Sequence, residues 1–188
     1  MTRNGNWMLT ASGRQYWPAD PRAEEVFAED VAAQLAKLCR FTGACRDTYY
    51  VAEHACHVHD RVWEETRDRY LAFVALHHDD PEAYINDMNR PTKTGPNMDG
   101  YRRLEDLNWA AIAARFDLPL ALPSVVKRFD HEMLFHEAAA LMPPMPAHIS
   151  ESWGMGLPRP AVLRPEIIQC WDWRQARSEY LRRHKELA

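Results

Sequence analysis

Residues 71–87 read LAFVALHHDDPEAYIND, and this stretch decides the fold class. Its first six residues are apolar nearly all round a helix, which predicts a central helix from Tyr70 to about Asp80. Six apolar residues are also compatible with a buried strand, but the sequence contains no β-rich neighbours to pair with one. Pro81 suits the first turn of a short helix from Glu82 to about Met88. The stretch therefore favours an all-α protein.

The remainder of the chain supports the same fold class. Apolar residues recur at helical spacing in five further segments: Val31–Leu38, Thr48–Arg67, Asp99–Phe116, 119–142 and Glu166 to the last residue. Residues 89–97 and the Pro/Gly-rich residues 143–165 are predicted loops. We expect a single domain, with an irregular arm (1–27), a helical core (28–142), and a loop plus C-terminal helix (143–188).

Composition excludes several classes of protein. The chain has 188 residues, 46% of them hydrophobic and 27% charged, with a net charge of −4. It carries no apolar run near the roughly 18 residues of a membrane span and no apolar signal sequence. Its four cysteines are too few for a disulfide scaffold and show no C-x-x-C spacing, so we expect them to be reduced thiols. We therefore expect a cytoplasmic protein rather than a secreted disulfide scaffold, a membrane protein, a disordered chain or a histone-like binder.

Four polar residues interrupt apolar helix faces, and they predict a metal site. His54, His78, Asp79 and Asp130 each lie three or four residues from apolar positions, so their side chains should point inward. Burying carboxylates without a positive partner costs several kcal/mol or more. Because we find no buried Lys or Arg at matching positions, a divalent cation is the expected partner. Taken singly, His54 is compatible with a hydrogen-bonded core residue.

Three other features have plainer interpretations. Asp130 alone is compatible with a salt bridge to Arg128 or Arg40. A second His-Asp pair, His59-Asp60, lies in a charged stretch and is expected on a solvated helix surface. The basic residues 182–185 are expected at a solvated helix end rather than in a nucleic-acid site.

Three segments together resemble the HD-domain metal-dependent phosphohydrolases. They are VAEH at 51–54, ALHHDDPEAYIND at 75–87 and VKRFD at 126–130. The sequence is most similar to the 5′-deoxynucleotidase-like branch and its phage and prophage relatives, some of which hydrolyse deoxynucleoside triphosphates. The resemblance covers about residues 30–142 and implies an all-helical HD-domain bundle.

The resemblance also implies a ligand set and roles for the surrounding residues. One divalent ion (Mn, Co, Fe, Ni, Zn or Mg) is expected on His54, His78, Asp79 and Asp130, and this mixed set does not select among these ions. Glu82 matches a catalytic acid that orients or deprotonates the attacking water, and Asp87 matches a second acid in the site. Arg40 and Lys93 match residues that bind phosphate.

The chain departs from the family pattern after its His-Asp pair. Asp80-Pro81 stand where relatives often have a small residue, which is expected to add negative charge near the metal, and Asn86 and Asn89 replace a Gly and a Pro. His77 is outside the ligand set and is expected to be structural or to support a ligand.

The expected function is divalent-metal-dependent hydrolysis of (deoxy)nucleotides, with 5′-nucleotidase action on a deoxynucleoside monophosphate favoured. The alternatives are a deoxynucleoside triphosphate triphosphohydrolase and, from another class, a non-catalytic metal-stabilised nucleotide-binding module. The expected partner is a small nucleotide, without nucleic acid or membrane. Relatives are often homo-oligomers, and exposed tryptophans at 153–173 would suit such a contact.

Overall fold

The computed structural model describes residues 2–154 and 156–187, and the fold is helical, which confirms the predicted all-α class. The α-helices are α1 (Ala28–Leu35), α2 (Val51–Thr66), α3 (Arg69–His77), α4 (Glu82–Ile85), α5 (Arg90–Lys93), α6 (Asp99–Phe116), α7 (Ser124–Leu141), α8 (Ala147–Ser152) and α9 (Trp173–Leu187). Short 3₁₀ turns occupy Ala23–Glu25, Arg40–Gly43 and Pro165–Ile167.

Helices α2 and α3 form the centre of the molecule. They pack along each other, and both contact α7 and α9. All residues of α3 from Ala72 to His77 are buried, as expected for a helix that is apolar nearly all round. One face of α2 is also buried, because Val51, Ala55, Val58 and Val62 are inaccessible to solvent. These two helices place His54 and the end of α3 inside the protein.

The N-terminal arm is more ordered than the sequence predicted. Met8–Leu9 (β1) pair antiparallel with Gln15–Tyr16 (β2), and a 3₁₀ turn follows at Ala23–Glu25. Tyr16 is fully buried, donates a 2.6 Å hydrogen bond to Asn108 Oδ1, and stacks on Tyr84 with ring centroids 3.7 Å apart. The prediction that the arm is irregular was wrong at these strands, because two-residue strands carry no detectable periodicity. Through Tyr16, the arm also contributes to the core.

Both predicted loops contain a short helix. Helix α5 begins after Asn89, whose side chain accepts a hydrogen bond from the Thr92 amide. Helix α8 occupies residues 147–152 within the Pro/Gly-rich segment. Helix α7 begins at Ser124 rather than near residue 119, because Pro123 stands in an extended conformation before it.

The prediction that the last helix begins at Glu166 was wrong by seven residues. The carboxylate of buried Glu53 accepts hydrogen bonds from three consecutive backbone amides, of Gln169, Cys170 and Trp171, which holds this segment on α2 in a non-helical conformation with Cys170 at a φ of 53°. Asp172 then accepts from the amides of Arg174 and Gln175, as an N-cap does, and α9 begins.

Several residues expected at the surface are buried. Trp171 is only 8% exposed, so it offers no surface for a partner. His59 and Arg183 are also buried, and Arg183 forms a salt bridge of 2.7 Å to Asp60. Arg183 and the second His-Asp pair therefore join α2 to α9, whereas Arg182 and Lys185 of the basic stretch are exposed, as predicted for a solvated helix end. In the part of the chain that the structure describes, no helix combines the length and apolarity needed to cross a bilayer.

Candidate metal centre

The structure brings together the four residues that the sequence predicted as metal ligands. Helix α2 supplies His54, the last turn of α3 leads into His78 and Asp79, and the middle of α7 supplies Asp130. His54 Nε2 lies 3.3 Å from His78 Nε2, 3.5 Å from Asp79 Oδ2 and 3.2 Å from Asp130 Oδ1. His78 Nε2 lies 3.3 Å from Asp79 Oδ2 and 3.8 Å from Asp130 Oδ1.

These separations fit the ligand shell of one small cation. Ligand atoms about 2.1 Å from an ion are about 3.0 Å apart at adjacent octahedral positions and about 3.4 Å apart at tetrahedral ones. The five measured separations span 3.2 to 3.8 Å. The His54–His78–Asp79 group could therefore hold a metal ion. Asp130 lies beside this group, with Oδ1 3.2 Å from His54 Nε2 and 3.8 Å from His78 Nε2, but is not a member of it.

Hydrogen bonds at the far side of each imidazole ring leave both Nε2 atoms free to coordinate. His78 Nδ1 donates to the carbonyl oxygen of Ala75 at 2.7 Å, because a carbonyl can only accept. His54 Nδ1 lies 2.5 Å from Glu137 Oε1, and the carboxylate fixes a proton there. The two Nε2 atoms therefore face each other across 3.3 Å with carboxylates beside them, and a shared proton or a bound cation would relieve the repulsion between their lone pairs.

The electrostatics of this group favour positive charge. Burial lowers the pKa of His78, but the Asp79 and Asp130 carboxylates outweigh it and raise that pKa well above its ordinary value. Burial opposes ionisation of Asp130, yet hydrogen bonds from His54 and His78 hold the pKa of that carboxyl well below its usual range. The site thus retains two carboxylates and attracts cationic partners, and a divalent ion meets both requirements.

Glu137 is a functional residue that sequence reasoning missed. It is fully buried on α7, two helical turns beyond Asp130, and its second oxygen accepts a 3.2 Å hydrogen bond from Arg40 Nε. Its spacing from Asp130 would have placed both on one helix face, but nothing local distinguishes it from a salt-bridged surface acid. A carboxylate behind a ligating imidazole orients the ring and raises its basicity.

The expectation that no buried Lys or Arg lies near these acids was wrong, because Arg40 does. Its side chain is only 12% exposed, and Nη1 lies 3.6 Å from Asp79 Oδ2. Asp130 does not take the salt bridge to Arg128 considered above, since Arg128 pairs with Glu65 at 3.2 Å. Arg40 therefore neutralises part of the acidic cluster, and it also lines a cleft.

The remaining predicted residues line this cleft, which has a volume of about 710 Å³. Six of the eight predicted site residues contribute to its wall: Arg40, Asp79, Glu82, Asp87, Lys93 and Asp130. Lys93 forms an ion pair with Glu105 of α6, a partner that the sequence analysis did not identify. Apolar side chains, among them Phe41, Leu134 and Trp153, cover another part of the wall.

Glu82 has an unusual environment within the cleft. The residue is buried, and within residues 2–154 and 156–187 its Oε2 atom has no hydrogen-bond partner. Burial, and then the nearby Asp79 and Asp87 carboxylates, raise the pKa of Glu82 well above its ordinary value. Burial also raises the pKa of Asp87. A carboxyl group with a raised pKa exchanges protons closer to neutral pH.

The outer residues of the HHDD sequence at 77–80 point away from the ligands. His77 and Asp80 are fully buried and hydrogen-bonded to each other, and both contact the hydroxyl group of Tyr180 in α9. The extra negative charge expected from Asp80 therefore lies in a hydrogen-bonded network with α9 rather than among the metal ligands. His77 is structural, one of the two roles expected for it.

Together, the fold and the site define an all-α protein with a candidate metal-binding centre at the base of a large cleft. The chain belongs to the family of the uncharacterized protein YfdR of Escherichia coli K12, to which it is 32% identical over 132 residues, 70% of each chain. It is also 35% identical over 127 residues to an uncharacterized protein of Rhodobacter capsulatus, covering 65% of this chain and 64% of that one. The sequence matches no protein-family model.

Proposed function

We propose that this protein is a divalent-metal-dependent phosphohydrolase of the HD-domain type that acts on (deoxy)nucleotides. Its favoured reaction is hydrolysis of a deoxynucleoside 5′-monophosphate to the nucleoside and phosphate. The observation that carries the proposal is the pair of opposed Nε2 atoms of His54 and His78, 3.3 Å apart, flanked by Asp79 and Asp130. Tautomers fixed for coordination beside two carboxylates favour a metal site over an ordinary buried salt bridge.

The cleft beside this centre supports a phosphorylated substrate. Arg40 and Lys93 place two cations in its wall, and both lie near the acids that would flank a metal ion. The apolar part of the wall, which includes Phe41 and Trp153, offers a surface for a base or sugar. A volume of about 710 Å³ lies within the usual range of small-molecule sites, about 300–1,000 Å³.

Three polar residues of the cleft, Glu82, Arg40 and Asp87, have distinct roles in this reaction. A bound divalent ion would polarise a phosphoryl oxygen and make a water molecule acidic enough to attack at neutral pH. Glu82 accepts the proton of the attacking water through its unpartnered Oε2 atom. Arg40, held in place by Glu137, offsets negative charge that develops on the phosphate. Asp87 holds water or the sugar at the cleft wall.

A nucleotide panel tests the proposal. Metal-free protein receives Mn²⁺, Co²⁺, Ni²⁺, Zn²⁺ or Mg²⁺ with deoxynucleoside mono- and triphosphates, and inorganic phosphate, triphosphate and nucleoside are separated and quantified. We expect metal-dependent release of phosphate from a monophosphate. His54→Ala should lose both metal binding and hydrolysis, whereas the exposed His148→Ala is the matched control. No hydrolysis of any nucleotide with any of the five ions contradicts the proposal.

The same panel separates the two alternatives. Release of inorganic triphosphate from a deoxynucleoside triphosphate identifies a triphosphohydrolase. A rise in melting temperature with metal and nucleotide, without turnover, identifies a non-catalytic binding module. Homo-oligomerisation stays a prediction from the resemblance, and light scattering of the purified protein tests it.

A further inference from the structure

Asn86 has a backbone conformation that residues other than glycine rarely adopt. Its φ of 74° and ψ of 153° lie in a region that is populated almost only by glycine. Arg67 and Asp117 differ from it, because they take the left-handed helical conformation that commonly ends a helix. Strained residues of this kind persist only where the surrounding structure holds them, and they concentrate at functional sites. The fold must therefore hold Asn86 in place.

Neighbouring elements hold the turn that follows α4. The amide of Asn86 donates a 2.9 Å hydrogen bond to the Glu82 carbonyl and so ends the helix. From α6, the Tyr101 hydroxyl donates a 2.8 Å hydrogen bond to the Asn86 carbonyl. Asn89 caps α5 with its side-chain oxygen, and its Nδ2 atom donates a 3.1 Å hydrogen bond to Thr42 Oγ1. Both backbone polar groups of Asn86 are therefore bonded, although its side chain is exposed.

This turn sets the position of the next residue, Asp87. Asp87 lines the cleft together with Glu82 and Arg40, although α4 ends between the two acids. The Asp87 carboxylate lies near enough to Glu82 to contribute to the raised pKa of that residue. Bringing two carboxyl groups together in a buried site is unfavourable. A relaxed backbone at Asn86 would let these acids separate, so the strained conformation keeps them in one cleft.

We propose that Asn86 is a positioning residue, whose glycine-like backbone conformation directs the Asp87 carboxylate into the cleft beside Glu82 and Arg40. Asn86 acts only through Asp87 and through its backbone. Glycine should therefore keep this role, whereas alanine should lose it, because a Cβ atom disfavours the conformation. The placement of Asp87 is independent of the proposed function, but its effect on nucleotide hydrolysis rests on that function.

Nuclear magnetic resonance of metal-free protein, labelled with ¹³C at the aspartate carboxyl groups, measures the placement of Asp87. Asp87→Asn identifies its signal. In the unmodified protein and in Asn86→Gly, we expect Asp87 to titrate above its ordinary pKa, because burial raises that pKa. In Asn86→Ala, the pKa should return toward the ordinary value of about 3.9, because the carboxyl group becomes solvated. Asn97→Ala is the matched control, since Asn97 also has a positive φ, 69°, but does not line the cleft.

Hydrolysis of dAMP with Mn²⁺ gives a second readout. In Asn86→Ala, kcat/KM should fall about tenfold, the effect of one lost charge-assisted hydrogen bond. In Asn86→Gly and Asn97→Ala it should stay within about twofold of the unmodified protein. Adding Asn86→Ala to Asp87→Asn should lower kcat/KM by less than about twofold, because both changes act through the same carboxylate.

Each alternative result has a definite meaning. An Asp87 signal that titrates alike in Asn86→Ala and in the unmodified protein overturns the proposal. Equal losses in Asn86→Gly and Asn86→Ala also overturn it, because the asparagine side chain would then matter rather than the backbone. So does a lower melting temperature for Asn86→Gly than for the unmodified protein, since glycine would then relieve no strain.

The two readouts also separate this proposal from the proposed function. If the Asp87 pKa changes as expected but no nucleotide is hydrolysed with any metal, the positioning role stands and the hydrolase function fails. If dAMP is hydrolysed but the Asp87 signal is the same in every variant at position 86, the hydrolase function stands and the positioning role fails.

Discussion

Tyr180 donates a 2.5 Å hydrogen bond to Asp80, one hundred residues earlier in the chain, and this contact ties α9 to the candidate metal centre. Asp80 accepts it inside a fully buried network in which the Tyr180 oxygen also lies 2.9 Å from His77 Nδ1. His77 and Asp80 flank His78 and Asp79 in sequence, so anchoring the outer pair fixes the backbone of the inner pair. A helix outside the segments that resemble HD domains therefore positions two candidate ligands.

Tyr180→Phe tests this positioning role. The change leaves a buried carboxylate short of one donor, so we expect a loss of about 1–3 kcal/mol in the free energy of unfolding. Affinity for Mn²⁺ or Co²⁺, measured by calorimetry, should fall as well, because the 78–79 segment is less constrained. Tyr70→Phe, at a half-exposed tyrosine that bonds only the Asp117 carbonyl, is the control and should change neither quantity appreciably. Unchanged metal affinity in a destabilised Tyr180→Phe protein would limit Tyr180 to a structural role.

Glu137→Gln tests the support behind His54. Glutamine can still accept a hydrogen bond from His54 Nδ1, but it carries no charge. It therefore no longer raises the basicity of the imidazole or attracts Arg40, and we expect the affinity for metal to fall about 10–100-fold. Competition with a chelator of known affinity measures the change. Glu132→Gln, on the same helix, is the matched control. If Glu137→Gln binds metal as the unmodified protein does, Glu137 serves only to neutralise Arg40.

The helices and the proximity of the four candidate ligands were predictable because both depend on local sequence. Apolar periodicity reports which face of α2, α3 and α7 is buried, and His54, His78 and Asp130 are informative because they interrupt that face. The high cost of burying unpaired charge then links residues from separate helices without any knowledge of their contacts. Helix α6 was predicted at its observed bounds, Asp99–Phe116, for the same reason.

The supporting contacts could not be predicted, because they join residues that are distant in sequence. Glu137 meets His54 across 83 positions, and Arg183 meets Asp60 across 123. The start of α9 depends on the same kind of contact, since Glu53 of α2 holds residues 169–171 in a non-helical conformation. Periodicity within one helix carries no information about such partners. The candidate ligands were therefore accessible from sequence, whereas the residues that contact them from behind were not.

Glu82→Gln separates metal binding from proton transfer. Glutamine preserves the shape of the side chain but cannot accept a proton, so we expect metal affinity to be kept and kcat to fall about 10²–10⁴-fold. Nucleotide hydrolysis and calorimetry on the same preparation measure both quantities, with exposed Glu166→Gln as the control. Full activity in Glu82→Gln would remove the assigned role.

The raised pKa of Glu82 also predicts a stability effect in metal-free protein. Because the folded-state pKa lies above the unfolded one, the folded protein favours the protonated carboxyl, and stability is lost as the pH rises through the raised pKa. Glu82→Gln removes this cost, so its melting temperature at pH 7 should exceed that of the unmodified protein. The difference should narrow as the pH falls toward 4.5. A lower melting temperature for Glu82→Gln at pH 7 would show that the ionised carboxylate is stabilised by contacts with its neighbours.

His184 gives the protein a second pH dependence, away from the cleft. Its ring lies beside Phe73 and Phe116, and its Nδ1 is 3.1 Å from His77 Nε2. Burial, and then the electrostatic interaction with His77, lower the pKa of His184 to about 4. Between the ordinary value near 6.5 and this lower value, the unfolded chain binds a proton that the folded protein does not. The free energy of unfolding therefore decreases as the pH falls through this window.

His184→Gln should reduce this acid sensitivity, because glutamine does not titrate. The ring is partly exposed, so solvent screening limits the expected difference between the two proteins to about 1 kcal/mol at pH 5 relative to pH 7. Urea unfolding of metal-free protein at the two pH values measures it, and exposed His148→Gln should behave as the unmodified protein does. An equal decrease in the free energy of unfolding of the His184→Gln and unmodified proteins between pH 7 and pH 5 would contradict this prediction. The group that takes up a proton on unfolding would then be a residue other than His184.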